Sequence, residues 1–336
     1  MSSKSSISLK PTKAPKKLLK INDLSLQAIQ KIFERAKLHK KSHSLVVSGN
    51  DTTSAQIQIS KVQVANQQPK TQPSKVAALV FFEPSTRTRM SFEIAAHRLN
   101  LRSSIFTADA TTSLSKGESH HETLNNIIAM EPDLLIVRSP ENQKIDKILL
   151  ETKIPIINAG NGKEEHPSQA LLDAFTILEN RGTIQGEKIL FVGDVSHSRV
   201  AGSGRILFEK LGAEVAICSP KQLMPQSEEW KGVQRFEDLS TALKWCTVCM
   251  GLRIQSERHS KKSLPKNYIS KYRLDLKNLK ALGAKAIILH PGPFVNKIDL
   301  DEEILKDSRC KIHDQVTNGV YIRMAIMEEV LGATST

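Results

Sequence analysis

From residue 76 to residue 289 the chain repeats one alternation, a short β-branched run followed by a stretch of helical apolar spacing. The candidate strands are 76–82, 134–137, 154–158, 189–192, 214–218, 247–250 and 286–289, and helices follow several of them at 86–99, 169–178 and 199–211. Strands read as near-continuous apolar runs when helices cover both faces of a sheet, and parallel neighbours need such helices as crossovers. The alternation therefore predicts an α/β fold of parallel sheets flanked by helices. A chain of 336 residues exceeds the size at which one core keeps growing, so two domains with a cleft between them are expected. Two more helices bracket the alternation. Leu26, Ile29, Ile32, Phe33 and Ala36 place an amphipathic helix over 24–41, with Asp23 or Ser25 as its N-cap. The chain closes on a helix over 316–331, stopped by Gly332.

Hydrophobic content of 39% with 25% charged residues fits a soluble protein, and no apolar run approaches the ~18 residues of a membrane span. The net charge of +13 is unevenly placed, because Lys4, Lys10, Lys13, Lys16, Lys17 and Lys20 all precede the first acid, Asp23. Residues 1–17 read as a disordered, solvated basic tail. No apolar core follows these lysines and Arg is missing from the tail, so neither a secretory nor an organellar signal is expected, and the protein reads as cytoplasmic. Cys218, Cys246, Cys249 and Cys310 are too few and scattered for a disulfide framework. Cys246 and Cys249 have C-x-x-C spacing without a second Cys/His pair to complete a tetrahedral site, so packed thiols are expected and no metal. Residues 42–75 turn to Gln, Ser, Thr and Asn. There Gln56–Ile59 and Val62–Val64 alternate at strand period, which reads as an inserted hairpin or a loop.

Three segments carry chemistry. In VFFEPSTRTRMSFE a buried strand runs through Glu83 and Pro84 into a helix that opens at Ser85 and Thr86. Unpaired backbone N–H groups, the hydroxyls of Ser85, Thr86 and Thr88, and the Arg87 guanidinium converge there, as an anion such as phosphate requires. This is not a P-loop, because no G-x-x-x-x-G-K-[ST] run is present. The polar loop from Thr111 to Glu118 holds Ser113 and Lys116 and, taken alone, is as well a solvated loop. Asn158-Ala159-Gly160 leads to His166-Pro167-Ser168-Gln169 at the start of a helix, where open α/β sheets place their ligands. His166 and Gln169 are able to hold a carbonyl oxygen and an amino group together. Later, Arg199 opens a helix, Arg253-Ile254-Gln255 leaves one strand and His290-Pro291-Gly292-Pro293 leaves another. Gly202 and Gly204 imitate part of a dinucleotide fingerprint, but they fall inside the helix rather than at its entry. Arginines delivered to strand ends point instead to a second anionic ligand, one with carboxylates. The basic tail lacks interleaved aromatics, so nucleic acid is not expected as a partner.

Together, FFEPSTRTR-x-SFE, HPSQALLD, RIQSER and QVTNGVYIRMA resemble the aspartate/ornithine carbamoyltransferase family, and within it the aspartate branch. The resemblance runs from about Leu18 to Gly332, with 42–75 having no counterpart. It implies a carbamoyl phosphate-binding domain over 18–165, completed by a C-terminal helix within 316–336 that packs back on it, and an aspartate-binding domain over 166–315. It implies transfer of the carbamoyl group of carbamoyl phosphate to L-aspartate, as in pyrimidine biosynthesis, without a cofactor or metal.

Residue by residue, the resemblance gives Ser85, Thr86, Arg87 and Thr88 the phosphate, and Arg138 both phosphate and carbonyl oxygen. His166 takes the carbonyl oxygen, and Gln169 with the Pro291 and Gly292 segment takes the carbamoyl nitrogen. Arg199, Arg253 and Gln255 bind the aspartate carboxylates. Ser113 and Lys116 enter from the adjacent subunit of a homotrimer with shared active sites, Lys116 also reaching aspartate. The Gly292–Pro293 bond is a candidate cis peptide. A regulatory chain or a dihydroorotase partner is left open.

Overall fold

The computed structural model describes residues 16–48, 74–109, 111–140, 146–162, 164–255 and 267–332. Among these residues two five-stranded sheets form, and every strand pair in both is parallel. The first contains β1 (Lys17–Leu18), β2 (Val76–Phe81), β3 (Arg102–Thr107), β4 (Leu134–Ser139) and β5 (Ile156–Asn161), in the order β1-β5-β4-β2-β3. The second contains β6 (Lys188–Gly193), β7 (Glu214–Cys218), β8 (Gln234–Phe236), β9 (Val248–Leu252) and β10 (Ile287–Leu289), in the order β10-β9-β6-β7-β8. Central strands such as β2 and β9 are apolar along their length because helices shield both faces, and their residues are almost all buried.

The described α-helices begin with α1 (Leu26–Ser48), α2 (Thr86–Arg98), α3 (His120–Ala129), α4 (Asp146–Glu151), α5 (Pro167–Arg181) and α6 (Arg199–Lys210). They are followed by α7 (Leu239–Trp245), α8 (Tyr268–Tyr272) and α9 (Ile312–Leu331). The C-terminal helix α9 is buried on most of its circumference and packs on α1, α2 and α5. Its Glu329 pairs with Arg35 of α1 at 3.3 Å and with Lys31 of α1 at 3.2 Å. The expected return of the last helix to the first sheet is therefore present, and α9 also touches β10 of the second. Gly332 ends it in the left-handed conformation that glycine adopts at least cost.

Two expectations change. Lys17, read as the end of a disordered tail, pairs with Ile156 in β1, because Leu18 beside it is fully buried against the sheet edge. The first helix runs on to Ser48, into the segment read as an insertion, because His39, Lys40 and His43 find Glu328, Glu179 and Tyr321 on α9 and α5. The alternating runs Gln56–Ile59 and Val62–Val64 lie outside the described residues. β3 is new, a half-exposed polar edge strand without an apolar signal. The thiols of Cys218, Cys246 and Cys249 are buried, and burial pushes Cys218 up to about 12. No helix among the described residues is long and apolar enough to cross a membrane.

Candidate active site

The functional residues gather at the carboxyl ends of strands in both sheets. β2 ends at Phe81, and Phe82 still donates its N–H to the Arg138 carbonyl at 2.8 Å, so the turn through Glu83 and Pro84 leaves from a fixed point. Ser85 is extended and caps α2 with its backbone only, its hydroxyl making no cap hydrogen bond. The first-turn N–H groups of α2 and the hydroxyls of Ser85 and Thr86 are thus left for a ligand, with Thr88 buried behind them. Arg87 lies across the cleft against Gly292, where a Cβ would stand 2.5 Å from the guanidinium carbon. Gly292 has φ of 63°, so that position is closed to a side chain on both counts. Arg89 is turned away, donating to Thr107 Oγ1 at 3.0 Å.

Two arginines meet at one carboxylate. Arg138 leaves the end of β4, where the β4–β5 register slips between Val137 and Ser139, and its Nη2 is 3.3 Å from Glu83 Oε2. Arg199 opens α6 beside the second sheet, and its Nη2 is 3.1 Å from the same oxygen. Arg199 Nη1 also donates to the Gly162 carbonyl at 2.8 Å, and Arg138 Nη1 to the Ala159 carbonyl at 3.3 Å. Gly160, with φ of 119°, lets both side chains pass, since a Cβ there would stand 3.0 Å from Arg138 Nη1 and 3.2 Å from Arg199 Cζ. Asn158 holds this loop by accepting from the Gly160 N–H at 2.7 Å and donating to the Leu19 carbonyl at 2.8 Å. One carboxylate facing two guanidiniums leaves a net positive field, which favours an anionic ligand.

His166 is buried as the N-cap residue of α5, and its backbone N–H donates to Ser203 Oγ of α6 at 2.8 Å. Burial first, and then the charges of Arg199, Arg138 and Arg323, hold its pKa well below the usual imidazole value. It is therefore a neutral ring. One helical turn on, Gln169 Nε2 donates to Asp173 Oδ1 at 2.9 Å. Asp173 also accepts from Gln315 Nε2 at 2.7 Å, and Gln315 Oε1 in turn accepts from the His290 N–H at 2.8 Å. His290 is buried too, and burial, then Arg87 and Arg253, push its pKa down to about 3. Its neutral Nδ1 accepts from the Gly292 N–H at 2.9 Å, which fixes Pro291 and Gly292 ahead of the cis Gly292–Pro293 bond.

On the second sheet, Arg253 and Gln255 leave the end of β9. The Gln255 N–H donates to Asp194 Oδ2 at 3.1 Å, and Asp194 Oδ1 lies 2.7 Å from His197 Nδ1. Asp194 is fully buried after β6, so it anchors the Gln255 backbone and the approach to Arg199 at one point. Ser113 and Lys116 stand apart, exposed on a one-turn 3-10 segment before α3. The cleft thus unites Ser85, Thr86, Arg87, Thr88, Arg138, His166, Gln169, Arg199, Pro291 and Gly292, with Arg253 and Gln255 on its second wall. Glu83, Asp173, Gln315 and Asp194, which hold these residues in place, were given no role from the sequence. Only Asp173 had a local signal, its place four residues after Gln169 on one helix face.

Two all-parallel sheets that deliver arginines and a neutral histidine into a shared cleft define a two-domain enzyme for anionic substrates. The family model for the carbamoyl-P binding domain of aspartate/ornithine carbamoyltransferases matches residues 16–179, and that for the Asp/Orn binding domain matches 185–330. The chain belongs to the aspartate/ornithine carbamoyltransferase family. It is 43% identical over 265 residues to an aspartate carbamoyltransferase catalytic subunit of Chlorobium phaeovibrioides, covering 76% of this chain and 85% of that one. Among solved structures, the catalytic subunit of M. jannaschii aspartate transcarbamoylase superposes with a TM-score of 0.76 at 29% identity, covering 94% of this chain and 98% of that one. Aspartate transcarbamoylase from Trypanosoma cruzi in complex with N-(phosphonacetyl)-L-aspartic acid gives a TM-score of 0.76 at 26% identity, covering 94% of each chain.

Proposed function

We propose that this chain transfers the carbamoyl group of carbamoyl phosphate to the amine of L-aspartate, giving N-carbamoyl-L-aspartate and phosphate. The observation that carries the reading is the convergence of Arg138, Arg199 and buried neutral His166 around Gly160, facing Arg87 across the cleft. The domain assignment of 18–165 with 316–336 for carbamoyl phosphate and 166–315 for aspartate is part of this reading.

Ser85, Thr86, Arg87 and Thr88 grip the phosphate, and Arg138 bridges phosphate and carbonyl oxygen. The aspartate nitrogen attacks the carbonyl carbon, charge builds on the oxygen, and the C–O bond to phosphate then breaks. The amine proton leaves with the departing phosphate. Thr88, Arg138 and His166 supply fixed donors at that oxygen, worth about 3 to 4 kcal/mol each by analogy with oxyanion holes. The Ser168 hydroxyl lies 3.4 Å from His166 Nδ1 and can donate to it, which matches the tautomer this mechanism uses, with the ring proton on Nε2 facing the carbonyl oxygen. Gln169 and the Pro291–Gly292 segment hold the carbamoyl nitrogen. Arg199, Arg253 and Gln255 take the aspartate carboxylates.

Lys116 and Ser113 complete the site from a neighbouring subunit of a cytoplasmic homotrimer. What supports this is their exposure on a turn apart from the cleft. The carbamoyl-aspartate product places the reaction in pyrimidine biosynthesis. Amine specificity tests the reading: turnover with L-aspartate and none with L-ornithine is expected, and turnover with ornithine alone would sink it.

A further inference from the structure

Asp173 is fully buried on α5, and a single oxygen of its carboxyl, Oδ1, accepts from two side-chain amides, Gln169 at 2.9 Å and Gln315 at 2.7 Å. An oxygen that accepts makes each amide turn its NH2 toward Asp173 and its own carbonyl oxygen away. For Gln315 that oxygen takes the N–H of His290, the residue before Pro291, at 2.8 Å. For Gln169 the oxygen is the end presented to a ligand. One buried acceptor therefore sets the direction of two amides drawn from α5 and α9, Gln315 lying 142 positions along the chain from Asp173.

We propose that Asp173, acting with Gln315, is a positioning residue that makes the site selective for an acyl phosphate bearing an amino group. It does so by presenting Gln169 Oε1 and the Pro291 carbonyl as paired acceptors. The assignment rests on the carbamoyl phosphate reading above. An acyl phosphate with methyl in place of amino, acetyl phosphate, has nearly the same shape and the same phosphate. It offers no donor, so binding it leaves both acceptors dry and unpaired, the condition under which a polar site rejects an analogue most strongly.

The geometry does not depend on the charge of Asp173. Both hydrogen bonds fall on Oδ1, while buried Oδ2 has no hydrogen-bond partner among the described residues. A proton on Oδ2 leaves the two amides where they are. This accommodates the effect of burial, which raises the carboxyl to about 7 against the opposing hydrogen bonds and the charge of Arg323. An asparagine, with its oxygen at the Oδ1 position, reproduces the arrangement, and a leucine of similar volume does not.

The test compares full-length wild type with Asp173→Asn, Asp173→Leu and Gln315→Leu. Calorimetric dissociation constants are measured for carbamoyl phosphate, acetyl phosphate and inorganic phosphate, so selectivity is read without turnover. Wild type is expected to prefer carbamoyl over acetyl phosphate by about 10-fold or more, from two net hydrogen bonds. Asp173→Asn keeps that ratio. Asp173→Leu and Gln315→Leu bring it close to unity while inorganic phosphate affinity falls far less, because the grip of Ser85 to Thr88 meets the relay only where Arg87 lies against Gly292. A leucine variant that keeps the wild-type ratio overturns the proposal, as does parallel loss of phosphate affinity, which marks mere structural damage. Should neither leucine variant fold, Asp173→Asn still decides, since collapse of its ratio contradicts the assignment and retention supports it. A wild type that prefers carbamoyl over acetyl phosphate but makes no carbamoyl-aspartate would refute the proposed reaction and leave this assignment standing.

Discussion

Glu83 Oε2 and Arg199 Nη2 stand 3.1 Å apart, and this ion pair joins the turn after β2 in the first sheet to the opening of α6 beside the second. The same oxygen is 3.3 Å from Arg138 Nη2, so one carboxylate aligns an arginine assigned to carbamoyl phosphate with one assigned to aspartate. Removing its charge leaves both guanidiniums in place but unaligned. Glu83→Gln is expected to lower kcat and raise the KM for aspartate, with kcat/KM falling roughly 10-fold or more, since small misplacements are costly in an oriented site. Steady-state kinetics measure this, and unchanged constants would show that the pair is incidental.

Arg87 reaches across the cleft to Gly292, and in the proposed mechanism it holds the phosphate, on which charge develops as the C–O bond breaks. Arg87→Ala should lower turnover by at least ~100-fold, the scale of losing one preorganised donor. A near-normal rate in the same assay would remove Arg87 from the mechanism.

The exposed turn holding Lys116 predicts a site shared between subunits. Lys116→Ala and His166→Ala chains, each inactive alone, should regain partial activity when mixed trimers form. Mixed trimers that form and stay inactive would refute sharing.

Acid and base dependence follow from burial. His166 is held well below the usual imidazole range, so its titration should leave no inflection in kcat between about pH 6 and 8. Asp173 works in the opposite sense. Its carboxyl, raised to about 7 in the folded chain against an ordinary value of 3.8, keeps a proton that the unfolded chain has released. The stability this proton gives is fully present below about pH 4 and is lost as pH rises through about 7. Asp173→Asn cannot ionise, so its melting temperature relative to wild type should climb between pH 5 and pH 8. A difference that is flat or falls over that range would contradict the assignment.

The fold was legible wherever burial writes itself into a local pattern. β2, β4, β6 and β9 are apolar because both faces are covered, and Gly332 announces the end of α9. β3 escaped because Arg102–Thr107 is an edge with exposed side chains, and β1 because two residues gain strand geometry only from β5 beside them. Helix α3 carried an overlooked signal, the reciprocal cap in which Ser119 and Glu122 satisfy each other's backbone N–H groups. The residues assigned to the substrates were legible as motifs. Those that orient them were not, because Glu83 meets Arg199 across 116 positions and Gln315 meets Asp173 across 142, distances that no local spacing encodes.

The central claim is carbamoyl transfer to aspartate, and product stoichiometry tests it most directly. Purified protein is incubated with carbon-13-labelled carbamoyl phosphate and L-aspartate, and the ureido carbon and free phosphate are followed together by NMR. Equal growth of both signals, dependent on L-aspartate, is the predicted result. Phosphate release without a ureido carbon, or the same rate when aspartate is left out, would contradict the account.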